Sequence, residues 1–179
     1  MNTIGLRNII SIGVLISLAT VFVANEICSQ TSQPAATTAN EYPKEVKLIN
    51  KNQANYDTPE NTMAAIESAM KAGDLKWYYE TMTKEAELKL KKIDEKQTDN
   101  EKIKELKKNG KETKKIEIVE KRVIKDKAAV LLVVKHYATD NAIIQLPHVF
   151  IIESNKWKLT YKFNSEEWFK DIIQLPPEN

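Results

Sequence analysis

The chain is poor in the residues that most often announce chemistry. Its 179 residues hold one cysteine, which excludes an intramolecular disulfide and any multi-cysteine zinc site. Two histidines leave little room for a histidine-based metal centre. Of four glycines, Gly5 and Gly13 lie near the start, so no phosphate-cradling glycine loop can be built. Neither charge sign dominates: 27 basic and 25 acidic residues leave a formal net charge of +2. What remains, 42% apolar and 29% charged, suits one folded domain and is too apolar for a wholly disordered chain.

The first residues read differently from all that follow. Met1–Asn8 carries Arg7, and Ile9–Ala24 is then a charge-free run of 16 residues. At about 1.5 Å per residue the run spans roughly 24 Å, short of the roughly 30 Å hydrocarbon core. A cationic start, a short apolar stretch and polar Asn25-Glu26 is the pattern of an export signal. Residues 1–29 are therefore expected to be a signal peptide or signal anchor, with a periplasmic, secreted or membrane-tethered product. Cleavage signals are weak, since bulky Phe22 precedes Ala24, and Asn25-Glu26-Ile27 before Cys28 does not form a lipobox. Membrane contact is expected only through residues 9–24 if uncleaved, or through Cys28 if lipidated. Residues 30–55, small, polar and proline-containing at their start, are expected to be a flexible spacer. Residues 56–175 form the domain and 176–179 a tail.

Thr58-Pro59-Glu60 is a helix start: threonine caps, proline occupies the first turn and an acid meets the dipole. Met63, Ile66 and Met70 recur at helical spacing, Ala72-Gly73 ends the helix, and Asp74 caps a second one. The stretch from Thr83 to Lys115 is charged and thinly apolar, with a break at Thr98-Asp99-Asn100 and a terminus expected at Asn109-Gly110. Lys84–Lys127 holds 16 basic and 11 acidic residues, a local excess of five. The signs interleave, stacking aromatics are absent and only Arg122 is an arginine, so a solvated face is expected and nucleic acid is not.

From Lys115 the pattern becomes β-branched runs between short polar turns. Strands are predicted at 115–125, 128–138, 143–153 and 157–163, paired as an antiparallel meander. Two-residue turns would set Val123 opposite Val130, Tyr137 opposite Ile144 and Ile152 opposite Leu159. Lys158, Thr160 and Lys162 mark the solvent side of the last strand, so the side bearing Trp157 and Leu159 is the one the helices cover. That side collects Glu120, Lys135, Tyr137, His148 and Tyr161, expected to line a pocket or to be paired. Glu120 and Lys135 are expected to form an ion pair. His148 is expected in the apolar part of the face, and His136 exposed on the other.

Two helices opening at Thr58–Met63, turning at Lys71–Leu75, and followed by a curved antiparallel sheet resemble the nuclear-transport-factor-2-like superfamily. That superfamily is also called ketosteroid-isomerase-like or SnoaL-like, and the chain is similar to its small exported bacterial members of unknown function. The resemblance covers about residues 56–170. It implies an α+β, cone-like domain with N-terminal helices packed on a curved sheet of four or more strands. It also implies an apolar pocket with polar groups at its base. In enzyme members a carboxylate base works beside hydrogen-bond donors, roles open here to Glu120 and to Tyr137, Tyr161 and His148.

The expected function is an exported, non-enzymatic binding domain holding a small apolar molecule or a protein partner in the helix–sheet cleft. Two alternatives are an isomerase or dehydratase using Glu120 or His148, and a tethered interaction module working through Lys104, Lys107, Lys108 and Lys111. No catalytic motif, metal site or cofactor is implied by the sequence.

Overall fold

The computed structural model describes residues 35–36, 41–124, 128–139 and 141–163. In chain order these form β1 (Ala35–Ala36), β2 (Lys44–Glu45), a 3-10 turn (Lys51–Gln53), α1 (Pro59–Ala72), α2 (Leu75–Glu80), α3 (Lys84–Ile93) and α4 (Asp99–Glu112). β3 (Thr113–Ile124), β4 (Ala128–Tyr137), β5 (Ile143–Glu153) and β6 (Lys156–Thr160) follow. The chain divides into two units, Met1–Ser32 and Gln33–Asn179, and every described residue belongs to the second. The expected export signal, Cys28 and the tail lie outside the described residues.

The helix pair forms as its ends dictate. Thr58 accepts from the Asn61 amide at 3.1 Å, with Pro59 and Glu60 in the first turn. Gly73 closes α1 in the left-handed conformation at φ 65°, and Asp74 then caps α2 by accepting from Trp77 N at 2.8 Å. Thr98 and Glu101 close a capping box at the start of α4, where a break is predicted. The expected terminus at Asn109-Gly110 is corrected, since α4 runs on to Glu112. Gly110 is buried there because α1 crosses it: a Cβ would lie 2.6 Å from the Lys71 Cα.

The sheet is antiparallel, in the order β1-β3-β4-β5-β6 with β2 also on β3. α1 lays Met63, Ile66 and Met70 against Ile116, Ile118, Leu131, Val133, Phe150 and Leu159. The opposite face holds a smaller cluster of Val130, Leu132 and Val149, with Val119, Ile124 and Phe163 against it. Helices and sheet are stitched where α2 ends, as Leu159 N donates to Thr81 O and Thr83 N to Leu159 O, both 2.9 Å. The buried Thr62 hydroxyl adds a 2.8 Å hydrogen bond to Trp157 O.

Register departs from the two-residue turns in an instructive way. Ile124 pairs with Ala128, so Val123 faces Ala129 rather than Val130. One residue of slip turns each side chain to the other face. A bulge at Val119 then slips the ladder once more, returning Ile118 opposite Val133 and Ile116 opposite Lys135. Glu120 and Arg122, which lie between the turn and the bulge, therefore share the face of Leu132 and Val130, away from α1. The other two hairpins shift by two residues, which preserves the faces: His136 pairs with Ile143, and Ile152 with Trp157. Ser154 and Asn155, at φ 53° and 59°, make the last turn.

Residues 44–53, expected in the spacer, are folded against the rest. Val46 N donates to Ile116 O at 2.9 Å, its side chain joins the core, and Ile49 N donates to Ser68 Oγ at 2.9 Å. The segment thus straps β3 to α1.

Candidate functional site

That strap, α1, the end of α4 and the start of β3 enclose a cleft of about 300 Å³. Val46, Leu48 and Ile116 give it an apolar wall, Lys47, Lys71, Lys114 and Lys115 its cations, and Glu45 and Glu67 its acids. Gly110 contributes wall without side chain, the consequence of the close approach of α1 to α4.

Glu67 is the residue that sets this cleft apart. It is 2% exposed, on the buried side of α1, and Lys135 on β4 is 6% exposed. The Lys135 ammonium lies 2.5 Å from Glu67 Oε1, a buried salt bridge. Among the described residues, Lys135 is the only partner found for this oxygen. Desolvating two charges is costly, and an apolar pair of the same volume often holds a fold as well or better. The pair is therefore not explained by stability alone.

A polar neighbourhood surrounds the pair. The Tyr78 hydroxyl is pushed well up by burial first, then by Tyr161, Glu67 and Asp94. Tyr161 is raised by burial and by Asp94. Asp94, at the end of α3, is raised by burial, with Lys102 opposing. His148 is only partly accessible and its Nδ1 lies 3.2 Å from Leu146 O. Burial, then the charge of Lys135, push His148 down to about 3, which leaves a neutral imidazole at pH 7.

Of the five sequence candidates, the structure places Lys135, His148 and Tyr161 in this neighbourhood. Tyr137 ends β4 opposite Thr113, a residue of the cleft wall. Glu120 is corrected: it lies on the other face, where Arg122 Nε and Nη2 donate to its two carboxylate oxygens, and does not pair with Lys135. The cause is the one-residue slip between turn and bulge. Glu120 and His148 therefore lie on opposite faces of the sheet. His136 is also corrected from exposed to partly buried, with Nε2 3.1 Å from Glu117. Among the described residues no three His, Cys, Asp or Glu side chains gather as a metal site.

Glu67 was missed, although its position carries a signal. It sits four residues after Met63 and three before Met70, within the apolar stripe of α1. An acid inside such a stripe needs a buried cation, and Lys135 is the one that the covered face supplies.

No family profile and no curated protein matches the chain. Among solved structures it is similar to a SEC-C motif containing protein from Rhodopseudomonas palustris, at 10% identity and TM-score 0.45, covering 61% of this chain and 80% of that one. A SEC-C motif containing protein from Psychrobacter arcticus is similar at 16% identity and TM-score 0.44, covering 60% of this chain and 61% of that one. The nuclear-transport-factor-2-like expectation is corrected: no family profile or curated protein supports it, and both structures named here are described as SEC-C motif containing proteins.

Proposed function

We propose that the domain binds a small, largely apolar molecule in the cleft between strap, α1 and β3, with one hydrogen-bond donor of the ligand directed to Glu67. The observation that carries this reading is the Glu67 carboxylate, nearly buried, held by Lys135 at one oxygen and set in the wall of a 300 Å³ cleft. A carboxylate in that state gains from a hydroxyl or N–H donor, while Val46, Leu48 and Ile116 receive the apolar body. Lys135 fixes Glu67 in place, and a carboxylate oxygen receives a ligand's donor rather than its acceptor. A sheet curving around the helices as a cone would enclose such a ligand further. Export, proposed from the run Ile9–Ala24, would place the binding event in the periplasm, outside the cell or at a membrane.

An isomerase or dehydratase built on Glu120 loses its base, because Arg122 holds that carboxylate on the far face. Binding alone requires neither Glu120 nor a titrating His148.

The test is thermal unfolding of the full chain with and without a fractionated small-molecule extract of cells. A ligand at a hundred times its Kd stabilises by about 2.7 kcal/mol. A fraction that raises Tm by several degrees supports the reading. Failure of every fraction to move Tm contradicts it.

A further inference from the structure

On the outside of α4 the structure sorts charge in a way the sequence order conceals. At 100° per residue, Lys107, Lys111, Lys104 and Lys108 fall within about 100° of arc. Leu106 and Gly110 face the core, and Glu101, Glu105 and Glu112 follow beyond Lys108. All four lysines are exposed, and none has a carboxylate within ion-pair distance among the described residues. They line a shallow depression of about 530 Å³ with Asn100, Ile103 and Glu112. Lys71 of α1 is exposed beside Gly110, and the Lys107 stem lies over Gly73, so the basic surface continues across the helix crossing. Some other lysines of the helical region are paired, Lys84 and Lys91 with Glu87, Lys102 with Asp99 and Lys51 with Asp74, whereas exposed Lys76, Lys89, Lys92 and Lys96 stand apart from the stripe in sequence.

We infer that this stripe docks on an anionic phospholipid surface. Four like charges held side by side, none in ion-pair contact with the glutamates beyond Lys108, repel one another, and a plane of phosphates lowers that cost. The chemistry of the stripe favours headgroups over nucleic acid. It carries lysine point charges alone, with no arginine fork to read a base edge and no aromatic ring to stack on one. The same chain bears the charge-free run Ile9–Ala24, so a bilayer is the anionic surface nearest at hand, a choice that rests on the membrane reading of that run. Headgroup contact through lysines is electrostatic, shallow and screened by salt, as a face without a deep groove requires.

The experiment measures partitioning of the full chain onto vesicles of phosphatidylcholine alone and of phosphatidylcholine with phosphatidylglycerol. Contact through the apolar run is common to both, so the ratio between them isolates the stripe. The expected preference for the anionic vesicles is about tenfold at low salt, falling to about twofold or less at 0.5 M. The variant K104Q/K107Q/K108Q/K111Q is expected to lose the preference with its melting unchanged. The variant K44Q/K89Q/K92Q/K96Q, equal in net charge, is expected to keep it. Equal partitioning of the wild type onto both vesicles overturns the proposal, as does equal loss in the two variants. Release from anionic vesicles by duplex DNA at matched phosphate also overturns it, in favour of nucleic acid.

Discussion

Lys135 on β4 and Glu67 on α1 meet across the helix–sheet interface with 2.5 Å between ammonium and carboxylate, both almost wholly buried. Removing one partner leaves an uncompensated charge in the interior. Lys135→Met or Glu67→Leu alone is therefore expected to lower stability by about 3–5 kcal/mol. The double variant Glu67→Leu/Lys135→Met is expected to recover most of that loss, and urea unfolding of all four proteins completes the cycle. Additive single losses would show that the pair is not coupled.

His148 gives a prediction in pH. Unfolded, its imidazole takes a proton near 6.5, whereas in the fold burial and Lys135 push its pKa down to about 3. The unfolded chain therefore binds more protons between these values, so stability rises with pH across that window, by at most about 1.4 kcal/mol per unit. His148→Gln is expected to flatten the dependence between pH 5 and 6.5. An unchanged slope in urea midpoints would contradict a neutral His148.

Much of the fold was legible because its signals are local. Thr58, Pro59, Gly73 and Asp74 fix the helix pair through caps, and the β-branched runs fix the four long strands. The identity of the covered face also survives for β4, β5 and β6, since two of the turns err by an even number. Glu120 fails because the bulge at Val119 is a choice of tertiary packing: it keeps Ile116 and Ile118 in the core while the residues nearer the turn slip. The cleft was not legible at all. Its strap, Val46 and Leu48, comes from a stretch with no periodicity, and its polar focus needs the contact of Glu67 with Lys135, 68 positions later.

A second network responds to acid. Glu60 Oε1 accepts from Tyr42 at 2.5 Å and from Lys121 at 2.8 Å. Burial opposes its ionisation, but hydrogen bonds from Lys121 and Tyr42 outweigh that and hold the carboxyl below its usual value. Its stabilisation is present above the ordinary carboxylate pKa, and is lost as pH falls through the depressed one. Glu60→Gln is expected to cost about 1–3 kcal/mol at pH 7 and less at pH 3. A gap that widens in acid would contradict this assignment.

Two glycines should differ in kind. At Gly110 a methyl meets Lys71 backbone at 2.6 Å and 2.7 Å, so Gly110→Ala must part α1 from α4, at about 1–3 kcal/mol or more. At Gly73 it meets only the movable Lys107 side chain, leaving the left-handed backbone as the main cost, about 1 kcal/mol. Thermal melts of the two variants should rank Gly110→Ala as the less stable, and the reverse order would contradict the close crossing.

The cleft itself is tested most directly by native mass spectrometry of the full chain after exposure to cell extract. Leu48 lines the cleft and is half exposed, so Leu48→Trp fills the space at little cost to folding. The wild type is expected to carry a discrete adduct of a few hundred daltons, the mass a cleft of this size admits. The variant is expected to carry none at equal stability. A wild type that emerges bare, or an adduct that Leu48→Trp retains, would contradict binding in this cleft.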